Sequence, residues 1–252
     1  MARCSVRAVS RGHRPHGRDR RGRPVIPPTT DFSLYFVTDT ALCGGVERVP
    51  HVVYEAVMGG VGVVQVRDKE LGDSEFSVLA KECAKAVGRA EQDSGRPAHL
   101  FVNDRLNIAA DLGLNVHVGQ SDAAAKEARR VLGRDLMVGL SVSSPDEARA
   151  AVAERYADVL GIGPVWATPT KNDAGPPLGP DGVTACAAFA RTVGLASVAI
   201  GGINPSTATR LAGVPVDGLC VVSAIAGAED PRHAAAEMRR LATMTLMRGR
   251  DS

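Results

Sequence analysis

Several signatures of common protein classes are absent from this 252-residue sequence. No apolar run reaches the roughly 18 residues that a membrane-spanning helix needs, and the N-terminus lacks the apolar core of a secretory signal. The five cysteines form no CxxC pair, and an odd, dispersed set of this kind is typical of reduced thiols in a cytosol. We therefore expect a cytoplasmic protein with no membrane partner.

Motifs that pair a nucleophile with a base are also missing. The sequence has no GxSxG elbow, no histidine at the end of a predicted strand, and no His/Cys set with zinc spacing. His99 and His117 fall inside predicted strands, where packing in the core is the more frequent role. A reaction catalysed by this chain therefore need not involve acyl transfer or proton abstraction.

Charge is nearly balanced overall but unevenly distributed. Residues 1–30 hold eight arginines and one acid, Asp19, out of 30 basic and 28 acidic side chains in the chain, so the remainder is mildly acidic. This leaves no large basic surface, and we expect no nucleic-acid partner. The arginine-rich segment has almost no apolar residues to bury and is predicted to be a disordered extension, with an organelle transit peptide as the alternative.

What the sequence does contain is a regular alternation of short apolar runs and helical patterns. Hydrophobic residues make up 44% of the chain and aromatics only 4%, which is ordinary for a packed α/β protein. The apolar runs are continuous, as in parallel strands that are buried on both faces. The eight predicted strands are residues 34–37, 61–66, 99–102, 115–118, 136–140, 158–162, 196–200 and 218–222.

Eight strand–helix units predict a (β/α)8 TIM barrel over residues 31–246, followed by a short tail at 247–252. A doubly wound open sheet is the alternative fold. It is disfavoured because the first strand–helix turn lacks the GxGxxG pattern that such sheets usually carry.

The second predicted strand ends in three polar residues at alternate positions, Gln65, Arg67 and Lys69. Alternate residues of an extended segment point to the same side, so these three are expected to face one way and the intervening Val66 and Asp68 the other. Two cations and an amide on one face suit a multiply charged anion such as diphosphate. A solvated strand tip is the simpler alternative for this segment taken alone.

Two aspartates follow the next two predicted strands, at the end of the barrel where TIM-barrel active sites lie. Asp104 comes after Asn103 at the end of strand three, and Asp122 lies in the loop after strand four. Two carboxylates that face a diphosphate suit Mg²⁺, which prefers oxygen ligands and keeps several waters. Helix capping is the alternative role for both aspartates.

Polar or glycine residues continue around the remaining strand ends. Backbone N–H groups of a glycine turn can bind phosphate closely, and the loops after strands seven and eight form the usual phosphate site of this barrel. We therefore expect a diphosphate site near strands two to four and a monophosphate site near strands seven and eight. The polar and glycine residues at the ends of strands five to eight, or in the loops that follow them, are Ser141, Thr168, Thr170, Lys171, Gly201, Gly202, Val222 and Ser223.

Taken in order, these motifs resemble the thiamine-phosphate synthase family, over about residues 33–243. The resemblance implies a TIM-barrel transferase that joins the 4-amino-2-methylpyrimidin-5-ylmethyl group of a pyrimidine diphosphate to a thiazole phosphate. Diphosphate leaves and thiamine phosphate forms through a dissociative, carbocation-like mechanism. The motifs are Gln65-x-Arg67-x-Lys69, Val102-Asn103-Asp104, His117-Val118-Gly119-Gln120-x-Asp122, Gly139-x-Ser141, Gly163-Pro164-x-x-x-Thr168-x-Thr170-Lys171, Gly201-Gly202-Ile203 and Val222-Ser223.

The resemblance also implies a role for each matching residue. Asp104 and Asp122 would hold Mg²⁺, and the catalytic side chains would be those of Arg67, Lys69, Ser141 and Lys171. Residues that adjoin the matching positions within the same segments are included in the substrate-binding set. That set comprises Gln65, Val66, Arg67, Asp68, Lys69, Asn103, Ser141, Thr168, Pro169, Thr170, Lys171, Gly202, Val222 and Ser223.

Three other functions stay open on the sequence: a thiazole tautomerase of the same barrel family, a non-catalytic sensor of thiamine intermediates, and another phosphate-using barrel such as an epimerase or aldolase. The complete diphosphate and metal set argues against the first two. The loop threonines Thr168 and Thr170 argue against the third. Homo-oligomerisation and the choice between the carboxylated and decarboxylated thiazole phosphates stay open.

Overall fold

The computed structural model describes residues 30–168 and 175–248, without the side chains of Asp122 and Arg248. Residues 1–29 and 249–252, which contain nearly all of the predicted extension and tail, lie outside the described residues. So does the loop segment 169–174, which contains Pro169, Thr170 and Lys171.

Strands and helices alternate along the described chain. Short 3₁₀ turns at Val46–Arg48 and Ala208–Leu211 supplement the longer helices. The elements are β1 (Leu34–Val37), α1 (Val49–Met58), β2 (Val63–Val66), α2 (Asp73–Ser94), β3 (His99–Asn103), α3 (Leu106–Leu112), β4 (Asn115–Val118), α4 (Asp122–Leu132), β5 (Val138–Val142), α5 (Pro145–Glu154), β6 (Val159–Ile162), α6 (Gly179–Thr192), β7 (Ala196–Ile200), β8 (Gly218–Val221), α7 (Ser223–Ala226) and α8 (Pro231–Arg248).

The eight strands form a closed parallel barrel. They pair in sequence order from β1 to β8, and β8 closes the barrel by pairing with β1 in the register Tyr35 to Cys220. Closure excludes the open-sheet alternative and confirms the predicted TIM barrel. None of the described helices is both long enough and apolar enough to cross a membrane.

Two boundaries near the barrel mouth differ from the sequence prediction. Asp122, expected in the loop after strand four, is the first residue of α4, and the Ser121 hydroxyl caps this helix by accepting from the Ala124 N–H at 3.4 Å. β5 continues to Val142, so Ser141 lies within the strand. Ser223 opens the short helix α7, and the segment between β7 and β8 forms the 3₁₀ turn Ala208–Leu211.

Alternate strand residues belong to two different packing layers. Val64 and Val66 of β2 pack in the large core between the strands and the helices. The neighbouring position Val63 belongs to the second cluster, with Tyr35, Phe101 and other residues that fill the barrel interior. The inward side chains therefore share one narrow interior. Those nearest the carboxyl ends of the strands line the mouth of the barrel.

His117 of β4 occupies that interior, where it is 6% exposed. Its Nε2 lies 3.2 Å from the Ser141 hydroxyl. The next two strands in the barrel, β5 and β6, carry glycines at this level: a Cβ at Gly139 would lie 2.2 Å from His117 Nδ1, and one at Gly161 would lie 3.1 Å from Cε1. These glycines therefore provide the space for the imidazole ring.

A buried ion pair lies near the opposite, amino-terminal end of the strands. The Asp158 carboxylate pairs with the Arg129 guanidinium and accepts from the Val138 N–H at 2.7 Å. Burial raises the pKa of Asp158, while the charge of Arg129 acts to lower it. Arg129 also donates to the carbonyls of Tyr156 at 3.1 Å and Leu136 at 2.9 Å. These bonds tie α4 to the segments that lead into β5 and β6.

The glycine beside the histidine ring leads to a stability prediction. We expect Gly139→Ala to lower the free energy of unfolding by about 1–3 kcal/mol, the usual cost of overpacking a core. The new methyl group cannot fit 2.2 Å from Nδ1 of His117 unless the ring or the strand moves. Thermal and urea unfolding monitored by circular dichroism would measure the change.

Gly88→Ala is the matched control. Gly88 lies within α2, where a Cβ would meet nothing within 4 Å, so alanine should stabilise the helix by about 0.5–1 kcal/mol. Equal stability of the two variants would show that His117 does not fill the space beside Gly139.

Candidate active site

A cavity of about 560 Å³ opens at the carboxyl ends of the strands. This volume suits a small ligand. Eight of the residues predicted to bind substrate line it: Gln65, Arg67, Asn103, Ser141, Thr168, Gly202, Val222 and Ser223.

The other predicted residues are placed differently. Val66 is fully buried in the outer core and faces the helices. Asp68, Lys69 and Asp104 lie at the barrel mouth but are not among the residues that line the cavity. Asp122 is the first residue of α4, and its side chain is outside the described part of the structure. Three further predicted residues, Pro169, Thr170 and Lys171, lie outside the described residues altogether.

Gln65 lies at the floor of the cavity, where it is 4% exposed. Its Nε2 donates to the Tyr35 hydroxyl at 2.9 Å. Burial raises the pKa of Tyr35 well above its usual range, so the hydroxyl stays neutral at physiological pH. A buried amide held by a neutral hydroxyl gives the floor a fixed direction for hydrogen bonding to a ligand.

Arg67 is held at the cavity wall through its backbone. Its N–H donates to the Thr38 hydroxyl at 2.9 Å, and that hydroxyl lies 3.3 Å from the Arg67 carbonyl, to which it donates. Thr38 is fully buried beyond the end of β1, so it fixes the Arg67 backbone while the guanidinium extends to the cavity.

Asp68 has a structural role in the connection from β2 to α2. Its Oδ1 accepts from the N–H groups of Glu70 at 2.8 Å and Leu71 at 2.7 Å. Partial burial acts to raise the pKa of Asp68, but the Thr40 side chain, these two N–H groups and the charge of Arg105 together outweigh it, and the pKa is lowered. Asp68 therefore shapes the loop that carries Lys69.

Asp104 has an unusual backbone conformation for a residue with a side chain, with φ at 59°. Its carboxylate accepts from Asn103 Nδ2 at 2.7 Å. The helix-cap alternative is wrong for Asp104, because the N-cap of α3 is Arg105 and no side chain caps that helix. A left-handed, exposed aspartate at a strand end is a form of strain that often marks a functional position.

Asp122 does not cap its helix either, because the N-cap of α4 is Ser121. As the first residue of α4, Asp122 stands at the end of β4, next to the end of β3 in the barrel. The backbone therefore brings the two predicted metal ligands to adjacent strand ends.

The β6–α6 loop packs tightly against the end of β7. The Val165 N–H donates to the Ile200 carbonyl at 2.9 Å, and the Trp166 N–H donates to the Gly201 carbonyl at 3.2 Å. A Cβ at Gly201 would lie 2.7 Å from Pro164, and one at Gly202 would lie 3.0 Å from the Trp166 Cβ. Gly201 and Gly202 also have positive φ angles of 106° and 67°. Both glycines are therefore required by the backbone as well as by the space available.

The turn that follows holds Gly202 in place. The Thr207 hydroxyl donates to the Gly202 carbonyl at 2.9 Å and accepts from the Asn204 N–H at 3.0 Å. Asn204 Oδ1 in turn accepts from the Ser206 N–H at 2.9 Å. Because the Gly202 carbonyl is held in this way, the orientation of the peptide unit between Gly202 and Ile203 is fixed at the cavity edge.

The sequence alone did not identify several cavity residues. Tyr35 and His117 could have been found from the alternation of inward positions along β1 and β4. Trp166 and Arg210 gave no signal, because they meet across distant parts of the chain: the Arg210 guanidinium carbon lies 5.2 Å from the Trp166 ring centroid. Gln120, Ser143, Asn204 and Thr207 also line the cavity and were not in the predicted substrate-binding set.

The charge of the lining favours an anionic ligand. Among the described lining residues, Arg67 and Arg210 are cationic and none is a carboxylate. Arg67 follows β2 and Arg210 follows β7, so the two cations lie on different sides of the barrel mouth. This arrangement suits a cavity with two separate anionic groups.

Comparison with known proteins identifies sequence relatives of this chain. It is 46% identical over 216 residues to the thiamine biosynthesis multifunctional protein ThiED of Corynebacterium glutamicum; the match covers 83% of this chain, which spans only 28% of that relative. It is 38% identical over 213 residues to the thiamine-phosphate synthase of Syntrophomonas wolfei, covering 84% of this chain and 97% of that one.

A solved structure and a family-wide sequence model give the same result. The thiamine phosphate pyrophosphorylase of Pyrococcus furiosus superposes with a TM-score of 0.73 at 31% identity, covering 86% of this chain and 98% of that one. The sequence model of the thiamine monophosphate synthase family matches residues 34–225. This range contains all eight strands and the cavity, and the chain therefore belongs to the thiamine monophosphate synthase family.

Proposed function

We propose that this protein is a thiamine-phosphate synthase, a transferase that joins a pyrimidinylmethyl group to a thiazole phosphate and releases diphosphate. The observation that carries the proposal is the composition of the cavity. Amide, hydroxyl and guanidinium groups at the ends of β2, β3 and β5 face a glycine turn after β7 and the start of α7 after β8. Family membership over the same residues supports this assignment.

The pyrimidine diphosphate is assigned to the side of the cavity formed by β2, β3 and β5. Gln65 at the floor and Asn103 and Ser141 above it offer hydrogen bonds to the ring. Arg67 lies at the wall and Lys69 on the exposed loop beyond it, and both are assigned to the diphosphate. Lys171 is assigned to the same group on the basis of its sequence motif. Cations around a leaving diphosphate stabilise the negative charge that develops as its bond to carbon breaks.

A Mg²⁺ ion is assigned to Asp104 and Asp122, at the neighbouring ends of β3 and β4. The residues present fit such an ion. Asp104 projects an exposed carboxylate that caps no helix. Mg²⁺ commonly takes one or two carboxylates and completes its shell with water and substrate phosphate oxygens. When bound, it would neutralise charge on the diphosphate.

The thiazole phosphate is assigned to the opposite side, between the turn after β7 and the start of α7. Gly202, Val222 and Ser223 line the cavity there, and Thr168 lies on the adjoining loop. Thr170 is assigned to this site on the basis of its motif. A glycine turn can bind phosphate through backbone N–H groups, and Arg210 adds a cation to the cavity lining after β7.

The two sites together account for a reaction without a catalytic base. The carbon–oxygen bond to diphosphate breaks, the bonding electrons leave with the diphosphate, and the pyrimidine methylene cation is stabilised by the ring amino group. The thiazole nitrogen then forms the new carbon–nitrogen bond with its lone pair. The protein positions the two rings and stabilises the leaving group. A thiazole tautomerase would not need the cations on the diphosphate side.

The direct test is product formation. Incubation with the pyrimidine diphosphate, the thiazole phosphate and Mg²⁺ should yield thiamine phosphate and diphosphate in equal amounts, measured by chromatography and a diphosphate assay. Removal of Mg²⁺ with a chelator should stop turnover, and adding it back should restore it. Binding of both substrates without any product would support the sensor instead.

Substitution of the metal ligand gives a second prediction. Asp104→Asn should lower kcat/KM by about 100-fold, on the scale of losing one transition-state contact, and should raise the Mg²⁺ concentration needed for half-maximal rate. Asp111→Asn, an exposed aspartate on α3, is the control and should behave as the wild type. Wild-type activity of Asp104→Asn at every Mg²⁺ concentration would refute the metal assignment.

Lys171→Ala provides a third prediction. Turnover should fall by about 100-fold while the midpoint of thermal unfolding stays unchanged, because the lysine is assigned to the leaving group and not to the core. Steady-state kinetics and circular dichroism would separate the two effects. A loss of stability that matches the loss of activity would count against this role.

A further inference from the structure

Arg105 lies directly after Asp104 and has no role in the family motifs quoted above. Its guanidinium contacts three groups in the neighbouring strand–helix unit. Nη2 donates to the Leu71 carbonyl at 2.7 Å, Nη1 pairs with the Asp73 carboxylate, and Cζ lies 4.9 Å from the centroid of the Phe76 ring. The Arg105 side chain is only 23% exposed, so these contacts hold it against the protein.

The segment that Arg105 contacts joins β2 to α2 and carries Lys69. Gly72, the N-cap of α2, makes no side-chain capping bond, and Lys69 and Glu70 are exposed. Leu71 is held from two sides. Its N–H donates to Asp68 at 2.7 Å, and its carbonyl accepts from Arg105. The Arg105 bond is therefore a contact that joins this segment to the next strand–helix unit.

The Arg105 backbone belongs to the turn that presents Asp104. The Asp104 N–H donates to the His117 carbonyl at 2.9 Å, and the Arg105 N–H donates to the Asn103 carbonyl at 2.7 Å. Between these bonds Asp104 is held at a φ of 59°, a conformation that neighbouring contacts must stabilise. The anchored Arg105 side chain is such a contact, because it fixes the residue that follows Asp104.

We propose that Arg105 is a positioning residue that ties the Lys69 segment to the Asp104 turn. In this way it keeps a diphosphate-binding cation and a metal-binding carboxylate at a fixed separation. The proposal rests on the proposed function, which assigns Lys69 and Asp104 to the diphosphate and its metal ion. Arginine suits this position because its planar fork satisfies two acceptors while its face stacks on an aromatic ring.

Arg105→Gln tests the proposal. The KM for the pyrimidine diphosphate should rise about tenfold, the effect of losing a hydrogen bond from a charged donor, while the KM for the thiazole phosphate stays unchanged. Hydrogen exchange of the amides of residues 69–72 should become faster, because the Leu71 carbonyl loses its partner. A rise in KM for only one of the two substrates would not arise from general destabilisation of the barrel.

Arg149→Gln is a closely matched control. Arg149 also lies over an aromatic ring, with Cζ 4.9 Å from the Phe189 centroid, and it also pairs with an aspartate, Asp146 at 2.7 Å. It is 62% exposed and lies on α5, away from the Lys69 segment. Its loss should leave both KM values and the exchange of residues 69–72 unchanged.

Two further variants separate the contacts of Arg105. Arg105→Lys keeps the charge but not the fork, and it should recover little of the lost affinity. Asp73→Asn removes only the exposed ion pair, since Asp73 is 76% exposed, and it should change the pyrimidine diphosphate KM by less than about threefold. Full rescue by lysine would show that only the positive charge matters and would overturn the positioning role.

The exchange measurement keeps this test independent of the proposed function. If the wild type forms no thiamine phosphate, the proposed function fails, while exchange in residues 69–72 still reports whether Arg105 holds the segment. If the wild type is active and Arg105→Gln has wild-type KM values and wild-type exchange, the positioning role is refuted.

Discussion

Closure of eight parallel strands into a barrel is the constraint on which the rest of this structure depends. Once the sheet is closed, outward side chains share a core with the helices, and inward side chains share a single narrow interior. The inward residues near the carboxyl ends of β2 to β5 are polar: Gln65, Asn103, His117 and Ser141. No loop has to move to bring them together, because the barrel places them around one cavity.

The packing of that interior restricts which residues the strands around it can carry. The His117 ring is accommodated only because β5 and β6 carry Gly139 and Gly161 beside it. The ring in turn bonds to Ser141, and Tyr35 bonds to Gln65 in the same interior. The polar floor of the cavity is thus a packed layer whose members fix one another, as a preorganised binding site requires.

The sequence predicted the fold and part of the site for the same physical reason. Continuous apolar runs indicated parallel strands that are buried on both faces. Side-chain alternation predicted that Gln65 and Arg67 face the same side, and both line the cavity. Side-chain alternation holds only within a strand. β2 ends at Val66, so the alternation no longer fixes the direction of Lys69, which lies on an exposed loop.

Contacts between distant segments were beyond the reach of sequence patterns. The pairing of Arg210 with Trp166 and that of Arg105 with Leu71 depend on loops that meet only after the barrel has closed. The left-handed conformation of Asp104 is also a product of this closure, because its N–H bonds to a carbonyl of β4. The residues around Asp104 in the sequence offered helix capping as an alternative role, and the N-cap of α3 is in fact Arg105.

The two proposed anion sites are built on different principles, and this difference follows from their surroundings. On the side of β2 and β3 the binding groups are side chains on loops, so contacts between loops must set their separation. On the side of β7 the group is the backbone at Gly202, which is fixed by Thr207 and by packing against Trp166. The glycine turn is already held rigidly by its own hydrogen bonds. On the diphosphate side, Asp68 shapes the β2–α2 loop, but Lys69 and Asp104 lie on two different loops, and Arg105 provides a contact that joins them.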